Sequence, residues 1–125
     1  MKRGFLMVLS IAISIMQLYA QQTEIGHAVY ILDKDTHTAI FKRWYGGSKN
    51  DSVLIIPATV DYKGESYKIV ALGDGAGNQN QKVENVIIPE GVTKIDGGAF
   101  AYCYGLKSIT IPSSVNEIGS NTFYE

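Results

Sequence analysis

Few residues in this chain are of a type and spacing that could do chemistry. Gly73-Asp74-Gly75-Ala76-Gly77 has the look of a glycine-rich loop, in which backbone N–H groups cradle a phosphate. That chemistry needs a strand before the loop, a helix after it and a third glycine at set spacing, and the sequence lacks them. The segment also recurs as Asp96-Gly97-Gly98-Ala99-Phe100. It therefore reads as a structural corner, and Gly73, Gly75, Gly97, Gly98 and Gly119 all fit tight corners. Asp33 and Asp35 offer carboxylates for calcium, but an EF-hand loop requires glycine at its sixth position and glutamate at its twelfth. Here those positions hold Thr38 and Trp44, so a hairpin turn is the better reading.

His27 and His37 are the only histidines, and although a hairpin could bring them together, no second pair of metal ligands accompanies them. Cys103 is the lone cysteine, so no internal disulfide forms, and a small buried hydrophobe is its expected role. No serine, cysteine or carboxylate has a recognisable catalytic partner. The chain reads as a non-enzyme with no cofactor and no metal. Asn50-Asp51-Ser52 matches a glycosylation acceptor, which matters only in a eukaryotic secretory pathway.

The elements that would position any site begin after residue 20. Lys2 and Arg3 precede an apolar run from Phe5 to Met16, and Leu18-Tyr19-Ala20 ends on a small residue. This is the pattern of a secretory signal peptide over residues 1–20, cut after Ala20. The run is shorter than the roughly 20 residues that span a bilayer. The expected location is thus outside the cell, on its surface or in the periplasm, with no membrane span after cleavage. Removing Lys2 and Arg3 leaves 9 basic residues (11 − 2) against 12 acidic ones, a net charge of −3. With no basic stripe, a nucleic-acid partner is disfavoured.

Two apolar strings then align: Val83-x-x-Val86-x-Ile88-Pro89 and Leu106-x-x-Ile109-x-Ile111-Pro112. Their offset is 112 − 89 = 23 residues. The same offset matches Val92 with Val115, Ile95 with Ile118, Phe100 with Phe123, Leu72 with Ile95 and Ala76 with Ala99. An earlier copy, Leu54-Ile55-Ile56-Pro57, lies 32 residues before Pro89, which is nine more than one repeat. The excess falls between Val60 and Val70, where Tyr62-Lys63-Gly64-Glu65 predicts a small inserted β-hairpin. Each string alternates inward and outward side chains, as a strand with one buried face does, and Pro89 and Pro112 end those strands. A coil with an apolar lining cannot bury it alone, so stacked coils form a solenoid.

The string from Val86 to Leu106, with Ile88-Pro89, Val92, Ile95, Ala99-Phe100, Cys103 and Leu106 in order, resembles one BspA-like leucine-rich repeat of the bacterial surface-antigen type. The resemblance covers roughly residues 51–125. It implies a β-rich leucine-rich-repeat solenoid with little regular helix, and a secreted or surface protein that binds host matrix, other cells or other proteins. It implies no catalytic residues. Gly77 departs from the pattern by standing where phenylalanine is expected, and Asn80 stands at the cysteine position. The last copy stops at Glu125, the equivalent of Tyr102, before reaching its own strand. Ala28–Leu32 and Thr38–Trp44 flank a turn-rich Asp33–His37, so a β-hairpin precedes the repeats. In similar proteins such a hairpin stands before the first repeat, and residues 21–50 are read as a cap and linker.

By register, Val53 and Ile55, Asn85 and Ile87, and Ser108 and Thr110 form neighbouring outward columns on one sheet, with Glu84 and Lys107 at its border. Solenoids use such a sheet for binding. Ile55 beside Ile87 either marks a protein-binding stripe or reflects β-propensity alone. The functional expectation is a protein partner on a host or bacterial surface or matrix. The alternative is a structural fragment or edge piece of a larger repeat protein that assembles through its open C-terminal coil, with self-association through that end.

Overall fold

The computed structural model describes residues 22–46 and 52–125. The signal-peptide reading of residues 1–20, most of the linker and two residues of the Asn50-Asp51-Ser52 sequon lie outside the described residues. Ten strands run in chain order: β1 (Gln22–Ile25), β2 (Ala28–Asp33), β3 (Thr38–Trp44), β4 (Val53–Ile55), β5 (Thr59–Tyr62), β6 (Glu65–Gly75), β7 (Asn85–Ile87), β8 (Lys94–Ile95), β9 (Ser108–Thr110) and β10 (Glu117–Ile118). Two sheets face each other across one core. The smaller holds β4, β7 and β9 side by side, all parallel. The larger runs β1-β2-β3-β6-β8-β10, with β5 also on β6.

Each coil gives one strand to each sheet and closes through a turn. The coils are joined by parallel pairing, Asn85 with Ser108 and Ile95 with Ile118, at the 23-residue offset read from the sequence. Side chains repeat the offset: Ser108 Oγ donates to Asn85 Oδ1 at 2.6 Å, and Gly91 N–H donates to Ser114 Oγ at 3.2 Å. The turn side carries a third ladder, in which Gly77 N–H donates to Ala99 O, Phe100 N–H to Thr122 O and Tyr102 N–H to Tyr124 O. Val86, Ile88, Val92, Ile95 and Phe100 point inward and are buried. Burying such a side chain stabilises by about 1.5–3 kcal/mol. In the next coil Ile118 and Phe123 hold the matching positions but are 47% and 43% exposed.

The hairpin predicted within the first coil is present: β5 and β6 pair antiparallel across Lys63 and Gly64. Both turn residues have positive φ, 50° and 79°, the geometry of a tight two-residue hairpin. β6 continues well past this hairpin. Lys68 faces Thr59 on one edge and Thr38 on the other, and farther on β6 pairs parallel with β3 and with β8.

The N-terminal hairpin forms as expected, with two differences. A further strand, β1, pairs antiparallel with β2 through a turn at Gly26 and His27. And β3 is hydrogen-bonded into the solenoid's own sheet through β6. Tyr30, Leu32, Ala39, Phe41 and Trp44 therefore join the same core as the repeats, and Tyr30 meets Phe41 edge to face at 5.5 Å.

The corner assignments of Gly73 and Gly75 change. Gly73 and Gly75 do not turn corners; they end β6. Their missing side chains admit β3, since a Cβ at Gly73 would lie 2.9 Å from Lys42 Cδ and one at Gly75 3.2 Å from Lys42 O. Gly77 does not leave a void where phenylalanine is absent. Phe100 and Cys103 of the next coil fill that space, each 2.8 Å from where a Gly77 Cβ would sit.

Candidate functional site

The β4-β7-β9 sheet has an outward face built by strand alternation. Leu54 and Val86 turn inward, so their neighbours turn out. The register sets Val53 beside Asn85 and Asn85 beside Ser108, and in a second row Ile55 beside Ile87 and Ile87 beside Thr110. Neighbours within a row stand about 4.8 Å apart, strand to strand. Val53, Ile55 and Ile87 are 43%, 67% and 43% exposed, so three large aliphatic side chains share one solvent face. Asn85 and Ser108 form the polar half, tied by their hydrogen bond. Glu84 and Lys107 stand just before their strands and form an ion pair at 3.1 Å. The pair is largely solvated and contributes little to stability. Its effect is to hold the border of the face near neutral charge.

The other chemistry-bearing residues resolve into structure. Asp33 Oδ1 accepts from the N–H groups of Asp35 and Thr36 at 2.9 and 3.2 Å, closing the β2–β3 turn. The Thr36 backbone bond leads in holding the Asp33 carboxyl below its usual range. His27 and His37 sit at opposite ends of β2 and do not meet. His37 lies 3.9 Å from Glu65 instead. Among the described residues, no three His, Cys, Asp or Glu side chains gather where a metal could sit. Cys103 is buried, and burial pushes its thiol up. The glycine-rich segment has its backbone donors spent within the chain: Ala76 on Gly73 O, Gly77 on Ala99 O, Asn78 on Gly75 O. It cradles no phosphate.

The repeat geometry can be compared with known proteins. The family model described as a BspA type leucine rich repeat region (6 copies) matches residues 68–125. Those residues are BspA-type leucine-rich repeats. The match begins within β6, so β4 and the first half of the inserted hairpin precede it. The nine-residue insertion interrupts the period there. Among solved structures, a leucine-rich cell surface protein from Faecalibacterium prausnitzii is 31% identical with a TM-score of 0.67 over 78% of this chain and 26% of its own. A leucine-rich repeat protein from Bacteroides ovatus is 33% identical, with a TM-score of 0.70 over 80% of this chain and 26% of that one. A leucine-rich repeat protein from Bacteroides capillosus is 26% identical, with a TM-score of 0.69 over 80% of this chain and 72% of that one. The chain thus spans about a quarter of the first two. No curated protein is significantly similar to the chain.

The BspA-type repeats also carry a feature that sequence reasoning missed. Tyr102, Tyr104 and Tyr124 cluster on the turn side, all exposed, with Tyr102 edge-on to Tyr104 at 6.2 Å and to Tyr124 at 5.6 Å. The signal was available, because the 23-residue offset lays residue 124 beside residue 101. These tyrosines face outward, away from the apolar positions that define the repeat. Among the described residues, no helix is long and apolar enough to cross a membrane.

Proposed function

We propose that this leucine-rich-repeat protein is exported and displays the β4-β7-β9 face to a protein partner on a host or bacterial surface or matrix, acting as an adhesive module and not as an enzyme. The observation that carries this reading is the aligned exposure of Val53, Ile55 and Ile87 on one sheet face. Small contiguous apolar patches rimmed by polar groups suit protein contacts. Asn85, Ser108, Thr110, Glu84 and Lys107 supply that rim. The N-terminal hairpin serves as the cap, and residues 1–20 serve as the export signal.

The test is a binding screen of the full chain against arrayed extracellular-matrix and bacterial surface proteins, with an Ile55→Ser, Ile87→Ser double variant beside it. The expected result is at least one partner, bound at least ten-fold more weakly by the variant while the melting temperature stays unchanged. A blank array counts against the reading, as does a partner that ignores both substitutions.

A second reading rests on the exposed Ile118 and Phe123. Phe123 lines a cavity of about 240 Å³ together with Phe100, Cys103, Leu106 and Ile109. In this reading the last coil assembles with another copy. Sedimentation of a stable monomer at high concentration would remove it.

A further inference from the structure

A groove of about 200 Å³ opens where β3, the end of β6 and two successive turns meet. Arg43 reaches it from β3 and Asp74 from β6, Asn78 and Gln79 come from the first turn, and Tyr102 comes from the second. Gly75 makes the approach of Arg43 feasible: a Cβ there would lie 3.3 Å from Arg43 Nε. The remaining lining is small, from Gly98, Ala99 and Ala101. No large aliphatic side chain lines it.

We propose that this groove binds one pyranose unit of a saccharide. The lining offers donors and acceptors together. The Arg43 guanidinium only donates, the Asp74 carboxylate accepts, and the Asn78 and Gln79 amides do both. Sugar hydroxyls each donate and accept, so adjacent hydroxyls match such a set. Lys42 ion-pairs with Asp74 and fixes the carboxylate. Tyr102 is 39% exposed, and its ring is braced edge-on by two other tyrosines. An electron-rich ring face attracts the C–H face of a sugar ring. Asn78, Gln79 and Tyr102 also hold positive φ, at 49°, 53° and 58°. Gln79 and Tyr102 stand one repeat apart, so the same turn geometry presents both side chains to the groove.

Other ligands fit less well. A phosphate would meet Asp74, and the nearby backbone donors are already spent. An apolar peptide anchor would need an aliphatic or aromatic pocket, which the small lining residues do not form. The volume is below the roughly 300–1,000 Å³ of sites that enclose drug-sized molecules, so it suits a single ring. The groove and the β4-β7-β9 face lie on different elements, and this inference does not depend on the protein-binding reading.

The test is native gel electrophoresis of the full chain in gels carrying a β-glucan, an α-mannan, a xylan, a galactan or a pectin. It is paired with capture on a mucin-type glycoprotein before and after enzymatic removal of its glycans. At least one saccharide should retain the protein. Retention should weaken at least ten-fold in Tyr102→Ala and in Arg43→Gln and persist in Tyr102→Phe and Ile55→Ser. Retention in the gels alone assigns a polysaccharide source, and capture lost with the glycans assigns a glycoprotein source. If Tyr102→Ala fails to fold, Arg43→Gln, at an exposed strand position, still decides the matter. No retention in any arm, retention indifferent to Arg43→Gln, or capture that survives glycan removal would overturn the proposal.

Discussion

At the scale of single residues, the contacts that matter are close backbone approaches and one tuned carboxylate. Gly77 shows the first. The family pattern asks for phenylalanine there, yet Phe100 and Cys103 of the adjoining coil press against its Cα hydrogen side. Gly77→Ala would force a methyl group to 2.8 Å from both. Overpacking of this kind costs about 1–3 kcal/mol. A domain of this size should then melt several degrees lower, at about 4–8 °C per kcal/mol, by circular dichroism. Asp74 shows the second. The Lys42 hydrogen bond, ahead of the nearby positive charges, holds its carboxyl below the usual 3.8. A lowered folded value means that the ion pair stabilises fully above 3.8, and the contribution fades as pH falls through the folded value. The Asp74 side chain is two-thirds exposed, so solvent screens the pair and the effect stays within about 1 kcal/mol. Asp74→Asn should lower the melting temperature slightly near neutral pH and flatten its decline as pH falls below 3.8. A variant that melts like the parent at every pH would show the pair to be energetically silent.

At the scale of elements, the 23-residue period was legible because every coil must supply its own apolar lining. Val86 and Ile88, then Val92, Ile95 and Phe100, recur for that reason and are buried as a set. The inserted hairpin was legible from Lys63-Gly64, a turn signal between β-prone runs. What escaped were β8 and β10, two residues each, because a strand so short has no alternation to read. The parallel pairing of β3 with β6 escaped as well, since partners chosen across a long separation leave no local mark. The outward columns were legible by alternation and the tyrosine cluster by the 23-residue offset, whereas the groove needed the packing of two turns. β6 is paired along both edges and buries Tyr67, Ile69 and Leu72 almost completely. Its amides should exchange with solvent more slowly than any others. Amides of β9 and β10 should exchange fastest among the paired strands. Hydrogen exchange read by NMR or mass spectrometry checks the order, and equal protection in β6 and β10 would contradict it.

At the scale of the whole molecule, one core runs from the hairpin through the repeats, so the parts have no separate interiors to melt apart. Unfolding followed by β-type circular dichroism should be a single cooperative transition. Deleting residues 22–46 would remove Phe41 and Trp44 from that core and strip a paired edge from β6. The shortened chain should lose the cooperative transition or melt far lower. A separate early transition in the intact protein would mean that the hairpin is only loosely attached.

The β3–β6 pairing also sets a schedule. Ala39 is paired with Ile69, a residue made 30 positions later (69 − 39). As the chain emerges from a ribosome, the hairpin is the first described part to appear, yet it has nothing to lie against. Phe41 and Trp44 wait in water until β6 arrives, and long waits of this kind slow folding and invite mispairing. An open strand edge is a template for the wrong neighbour. A chain halted after Tyr62 would therefore carry an exposed β3 edge with no partner yet made. Such an intermediate calls for a chaperone until the next dozen residues follow.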